Sequence, residues 1–217
     1  MITVKTDRLL PNPHNPRDEY GDLSDLETIA DIQQQSLLIV TRAAYLGLYP
    51  DEDEKTRGKD YIVVNGCRRH MAAVKWGRQE LFCLLDNSVA ESRAKLMRAA
   101  YDENIRRRNF DAFEDAKAVM AIVSEYPSAK AAAEAEGWST GYISQRNSIL
   151  KLSPEVQQAA VGMPLRDLRA FATKVVRAMP AGQQLAALEE FKAKLAGDQD
   201  AASAEPTAST RQDGLAE

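Results

Sequence analysis

A glycine set between a strand and a helix constrains this chain more than any other feature. Tyr61-Ile62-Val63-Val64 are β-branched or aromatic and read as a strand. Gly66 breaks it, Arg68 and Arg69 follow, and the run at 71–74 starts a helix. Such a junction offers free backbone N–H groups, a favourable helix dipole and two guanidinium forks that match phosphate oxygens. It reads as an anion site. A surface turn with two solvated arginines is the plainer alternative for so short a motif.

The segments before it fit a small α/β unit. Residues 1–4 read as a short first strand, and Pro11, Pro13 and Pro16 make 11–17 a rigid extended loop, with a linker as the simpler reading. A helix is expected from Asp22 or Ser24, with Leu23, Leu26, Ile29 and Ala30 on one face. Leu37-Leu38-Ile39-Val40-Thr41 predicts a buried strand running on toward Tyr45. Between Gly47 and Asp60 the charges, Pro50 and Gly58 predict an exposed, solvated hairpin tip. After the helix at 68–76, Gly77 is a cap and 81–85 another buried strand.

From Ser88 the pattern is helical almost throughout. A long helix is expected over 90–104, leading into Glu103-Asn104-Ile105-Arg106-Arg107-Arg108, and a second over 111–126 with Asp111 as its N-cap. Two short helices, 128–136 and 140–150, flank the turn Gly137-Trp138-Ser139, which is the helix-turn-helix pattern; a plain helical hairpin is the alternative. A further helix is expected at 185–195. Beyond Gly197 the Ala, Ser, Thr, Asp, Pro and Gln composition predicts disorder.

Composition narrows the partners. The 217 residues, 44% hydrophobic and 28% charged, suit one or two soluble domains plus tails. No apolar run is long enough to span a bilayer and no signal-peptide pattern opens the chain, so no membrane partner is expected. Cys67 and Cys83 lack metal-ligand spacing, which argues against a disulfide scaffold or zinc site and for a reducing cytoplasm. The net charge of −4 does not mark a nucleic-acid binder. Locally the balance differs: 138–180 carries six basic and two acidic residues, a net of +4, while 181–217 carries three and seven, a net of −4. A basic helical block in an acidic protein supports phosphate contacts there.

Three stretches together resemble the ParB family of DNA-partition proteins. Pro11-Asn12-Pro13-His14-Asn15-Pro16-Arg17 is similar to the family's Asn-Pro-x-x-Pro-Arg segment. Gly66-Cys67-Arg68-Arg69-His70-Met71-Ala72-Ala73 is similar to its Gly-Glu-Arg-Arg-x-x-Ala-Ala phosphate motif, and Glu103-Asn104-Ile105-Arg106-Arg107 to its Glu-Asn-Ile-Gln-Arg motif. The helix-turn-helix follows at the expected distance, and the resemblance spans about 9–179.

The resemblance implies an α+β protein. A small mixed-sheet ParB/sulfiredoxin-like nucleotide-binding domain, 1–88, precedes an all-helical DNA-binding domain, 89–180, with its helix-turn-helix at 128–150. A short helix and acidic tail, 181–217, follow. It implies a CTP-dependent clamp that loads at a specific site on double-stranded DNA, as a homodimer working with a ParA-like Walker ATPase, in the cytoplasm on a nucleoid or plasmid. Gly66, Cys67, Arg68, Arg69, Glu103, Asn104, Arg107 and Thr41 would form the nucleotide site, with Ser36 to Thr41 bordering the cytidine. Glu103 and Asn104 would support Mg²⁺, a hard cation that wants oxygen ligands. Ser139, Thr140, Gly141, Tyr142, Ser144, Gln145, Arg146 and Lys151 would face DNA.

Four departures carry consequences. Cys67 stands where the family has Glu, and a thiol cannot orient water as a carboxylate does, so CTP binding with weak or absent turnover is expected. Ile39-Val40 replaces Gln-Pro, Arg146 replaces an apolar residue of the recognition helix, and the family's C-terminal dimerisation domain has no counterpart of similar length. The Gly-Cys-Arg-Arg run also resembles the Gly-Cys-His-Arg motif of sulfiredoxin, which would make Cys67 the nucleophile of an ATP-dependent thiol enzyme. A plasmid or phage transcription regulator with the same modules is a further alternative.

Overall fold

The computed structural model describes residues 1–15, 21–106 and 111–203; of 103–106 and 198–203 only the backbone is described. A five-stranded mixed sheet forms the first half, in the order β1-β5-β3-β4-β2. Its strands are β1 (Ile2–Lys5), β2 (Leu9–Pro11), β3 (Leu37–Thr41), β4 (Tyr61–Asn65) and β5 (Glu80–Leu85). β1 and β5 are antiparallel, as are β3 and β4, while β3 runs parallel to β5 and β2 parallel to β4.

The central strands are apolar on both faces because both are covered. Leu37, Ile39, Val63, Leu81 and Cys83 face a core closed by α2 (Cys67–Lys75) and a 3₁₀ segment, Ser24–Ala30. Val40, Ile62 and Val64 face the other way, onto α1 (Arg42–Leu48) and α3 (Arg93–Arg106), where Tyr45, Tyr49 and Leu96 complete the layer.

The second half is a helical block. α4 (Ala112–Ser124), α5 (Ala129–Glu136), α6 (Thr140–Leu150), α7 (Pro154–Ala159), α8 (Leu165–Ala178) and α9 (Ala181–Ser203) follow α3. One core gathers Tyr101 of α3 with Val119, Ile122, Ala132, Ala133 and Ile143. A second joins Phe113, Ile149, Val156, Leu168, Phe171 and Leu188. α3 is therefore shared, packing on the sheet through Leu96 and into the helices through Tyr101. No helix among the described residues is long and apolar enough to cross a membrane.

Local chemistry sets several helix ends, and the cap expected at Asp111 is present. Asp111 caps α4 in a reciprocal capping box with Glu114, Ser128 caps α5 through Ala131 N, and Ser139 caps α6 through Tyr142 N. Gly137 ends α5 at φ 67°, the left-handed conformation that favours glycine.

Other expectations are corrected. β3 does not continue toward Tyr45: Thr41 turns the chain and caps α1, its Oγ1 accepting from Ala44 N at 3.2 Å. The stretch at 47–60 is exposed at most positions, as expected, but it is not a hairpin tip: it holds the end of α1, a 3₁₀ turn (Pro50–Glu52) and the buried residues Glu52 and Thr56. The helix expected from residue 90 begins at Arg93, after a 3₁₀ turn over Asn87–Ala90. α9 runs past Gly197 to Ser203; the disorder expected beyond that lies outside the described residues.

Candidate functional site

Gly66 adopts φ 92°, ψ 23°, and α2 starts at the next residue. A Cβ built there would come within 3.1 Å of both Leu37 Cγ and Arg69 Nη1, so glycine lets these two side chains close against the turn. Arg69 is buried, and its Nη1 donates to Ser36 O at 2.7 Å and Gln35 O at 3.3 Å. It also lines a cleft of about 310 Å³ shared with Asp25, Leu26 and Gln35. Arg68 reaches the 3₁₀ segment instead. Its Nη2 lies 2.7 Å from Asp25 Oδ1, Nη1 lies 3.2 Å from Asp25 Oδ2, and Nη2 also donates to Asp22 O at 2.6 Å. An aspartate thus occupies the guanidinium fork that the sequence assigns to phosphate.

Three segments converge on this turn. The first is the proline-rich loop after β2, where Asn12 N donates to Val63 O at 3.0 Å. That same carbonyl accepts from Cys67 Sγ at 3.4 Å. The second is the segment at 35–36 held by Arg69. The third is α3: the Asn65 amide, oriented so that both of its ends are satisfied, donates to Ala99 O at 3.1 Å. Glu103 and Asn104 follow one turn later, about 6 Å along the axis. Their side chains, and the whole of Arg107, lie outside the described residues, as do Pro16 and Arg17.

Two of the expected nucleotide residues are placed differently. Thr41 pairs with Tyr61 at the far end of β4, roughly 17 Å from Gly66 at 3.3 Å per residue. Its backbone N and Oγ1 are bonded to Asn87 Oδ1, so register and capping both remove it from the site. Cys67 is buried among the apolar residues beneath α2. Its thiol points to the Val63 carbonyl, an inward placement that does not present a nucleophile.

On the helical side, Ser139, Thr140, Gly141, Ser144 and Lys151 are exposed and Gln145 is half-buried. Thr140 and Ser144 stand one turn apart, and Ser148, a residue the sequence reading left out, continues that row. Arg146 does not belong with them. Its side chain is buried, with Nε 2.9 Å from Asp115 Oδ2 and the guanidinium 3.4 Å from the Tyr142 ring centroid. Tyr142 is also turned inward, its hydroxyl meeting that of Tyr101, which in turn donates to Asp115 Oδ1 at 2.8 Å. Burial, more than any neighbouring charge, raises the pKa of the Tyr142 phenol.

α3 is tied to the α5–α6 turn by a second set of contacts. Arg98 Nη1 lies 2.9 Å from Glu136 Oε2, Arg98 Nε donates to Asp102 Oδ1 at 2.8 Å, and the guanidinium sits 5.0 Å from the Trp138 ring. The i,i+4 spacing of Arg98 and Asp102 was visible in the sequence, but Glu136 is 38 residues away and was not.

No protein-family model matches the chain, and no curated protein matches it. Among solved structures, the C-terminally truncated chromosome-partitioning protein ParB from Caulobacter crescentus, complexed to the centromeric parS site, aligns with TM-score 0.51 at 19% identity, over 88% of this chain and 100% of that one. The fold is that of ParB. The same Caulobacter protein complexed with CTP-gamma-S aligns at TM-score 0.37 and 19% identity, over 84% of this chain and 96% of that one. Within the ParB fold, the sheet half carries the glycine turn and the helical half the exposed row on α6, with α3 touching both.

Proposed function

We propose that this chain is a ParB-like DNA-binding partition protein whose sheet half binds CTP and whose α5–α6 pair is a helix-turn-helix for a specific double-stranded site. The single observation that carries the proposal is α3, which bonds to the strand end before Gly66 and also pins the α5–α6 turn, so that one rigid element links an anion-type cradle to a polar helix face. The likeness to a ParB fold along most of the chain supports it.

The cradle suits a triphosphate. Gly66 lets the turn sit close against Leu37 and Arg69, the helix N-terminus contributes its dipole, and the Arg69 guanidinium lies beside the turn. When bound, the nucleotide would supply the dense negative charge that these donors suit. Arg69 and the α2 amides would bind it, Arg68 would join them if released from Asp25, and Glu103 and Asn104 would hold Mg²⁺. Thr140, Ser144, Ser148, Gln145 and Lys151 contact DNA, while Arg146 and Tyr142 fix the helix that carries them. In this role the chain acts as a homodimeric clamp, partnered by a Walker-type ATPase. Cys67 in place of the family's Glu makes hydrolysis slow or absent.

Calorimetric titration of the full chain with CTP, ATP, GTP and UTP in Mg²⁺ buffer, with and without duplex DNA, tests this. CTP-selective binding whose affinity changes with DNA is expected; no nucleotide binding, or binding indifferent to DNA, rejects the clamp. Cys67→Ser separates the thiol alternative: unchanged nucleotide and DNA binding disposes of sulfiredoxin-like chemistry.

A further inference from the structure

Glu52 is an unusual residue to find buried. A glutamate taken out of water is costly unless its oxygens are satisfied, and this one lies in a stretch whose composition looks like a solvated loop. Two hydrogen bonds and one ion-pair contact meet it. Tyr45 of α1 donates its hydroxyl, Lys55 Nζ lies 3.1 Å from Oε1, and His14 Nε2 from the proline-rich loop also lies 3.1 Å from Oε1. Burial alone would raise the Glu52 carboxyl, but the Tyr45 and Lys55 hydrogen bonds and the His14 ring hold it below its usual range.

The His14 end of this contact is itself clamped. Its ring stacks on Tyr49 with centroids 4.1 Å apart and planes 19° from parallel. Tyr49 in turn packs under Arg93 at 4.7 Å, at the start of α3. Two residues back along the loop, Asn12 Oδ1 accepts from His14 N at 3.0 Å, and Asn12 N reaches the Val63 carbonyl that also accepts from Cys67. An unbroken path therefore runs from Glu52 through His14 and Asn12 to the residue after Gly66.

We infer that Glu52 is a positioning residue for the nucleotide site, anchoring through His14 the stretch 12–15 after β2, whose Asn12 bonds the Val63 carbonyl shared with Cys67. The inference rests on the nucleotide reading above and deepens it. Glu52 touches no nucleotide; it sets where the loop stands at the carboxyl ends of the parallel β2–β4 pair, the end at which open α/β sheets place ligands.

The test uses the full chain with three variants, Glu52→Gln, His14→Phe and His14→Gln, each measured for CTP affinity by calorimetry with Mg²⁺ and for Tm. Gln at 52 keeps the shape but loses the charge; Phe at 14 keeps the stack on Tyr49 but loses the polar contact. Gln at 14 retains an N–H that reaches the carboxylate. Glu52→Gln and His14→Phe are expected to weaken CTP binding about tenfold, the equivalent of one well-placed polar contact, with His14→Gln close to wild type and all Tm values within a few degrees. Equal affinity in all three variants overturns the inference. So does an equal loss in both His14 variants, or losses that follow Tm, because these mark a merely structural role. Absence of CTP binding by the unmutated chain overturns the nucleotide reading and this inference with it.

Discussion

Arg146 and Asp115 face each other inside the helical half, Nε to Oδ2 at 2.9 Å, with each side chain about 4% exposed. Removing one partner of a buried pair strands the other charge in a low-dielectric interior. Arg146→Ala should therefore cost about 3–5 kcal/mol of stability, and replacing both residues by apolar ones of similar volume should recover most of it. Urea denaturation of Arg146→Ala and of Arg146→Met with Asp115→Leu measures this. A near-neutral Arg146→Ala would show that the pair is not the buried tie described.

Gly66→Ala places a Cβ at φ 92° and within 3.1 Å of Leu37 and Arg69. Left-handed strain of this kind costs about 1–3 kcal/mol, and the displaced Arg69 would lose its place over Ser36. A lower denaturation midpoint together with lost CTP binding is the expected pair of results. Retained affinity at reduced stability would separate the glycine's backbone role from any role in the cradle.

Asp25 holds the Arg68 guanidinium through both carboxylate oxygens. Because Asp25 is largely exposed, the pair is worth only about 0.5–1 kcal/mol. Asp25→Asn should tighten CTP binding about two- to fivefold by removing the competing anion, while Arg68→Ala weakens it. Weaker binding in Asp25→Asn would mean that the aspartate orients Arg68 rather than competing for it.

His70 is buried beneath α2 with Nε2 3.1 Å from Thr6 O, and burial, ahead of any other cause, pushes its imidazole pKa below the ordinary value of 6.5. The folded state then binds fewer protons than the unfolded one as pH falls through and below 6.5, so stability declines on that acid side and is full above it. Denaturation midpoints at pH 7.5 and 5.5 should differ more for the natural chain than for His70→Gln. Equal pH dependence in the two proteins would remove His70 as the cause.

Features written in neighbouring residues were legible before any coordinates. Asp111 is a cap whose partners sit two or three positions away, and Gly66 and Gly137 turn the backbone where only glycine is comfortable. The same local logic gave the bounds of α6 at Thr140 and Leu150. What failed depended on distant partners. The resemblance to ParB assigns Thr41 to the site, yet the antiparallel register with β4 carries it to the opposite end of the sheet. The resemblance puts Arg146 and Tyr142 among the DNA contacts; their partners, Asp115 and Tyr101, lie 31 and 41 residues upstream.

By itself, then, the sequence determined the strand-turn-helix cradle, the helical second half and the local charge of each. Those properties follow from backbone preferences and side chains only a few positions apart. The tertiary structure alone decided which charges reach solvent: Glu52, read as a solvated acid, is buried against His14, and Arg68 is held by Asp25. The reason is physical. Burial and ion pairing are set by what packs across a sheet or between helices, and that information is spread over residues that no short stretch of sequence contains.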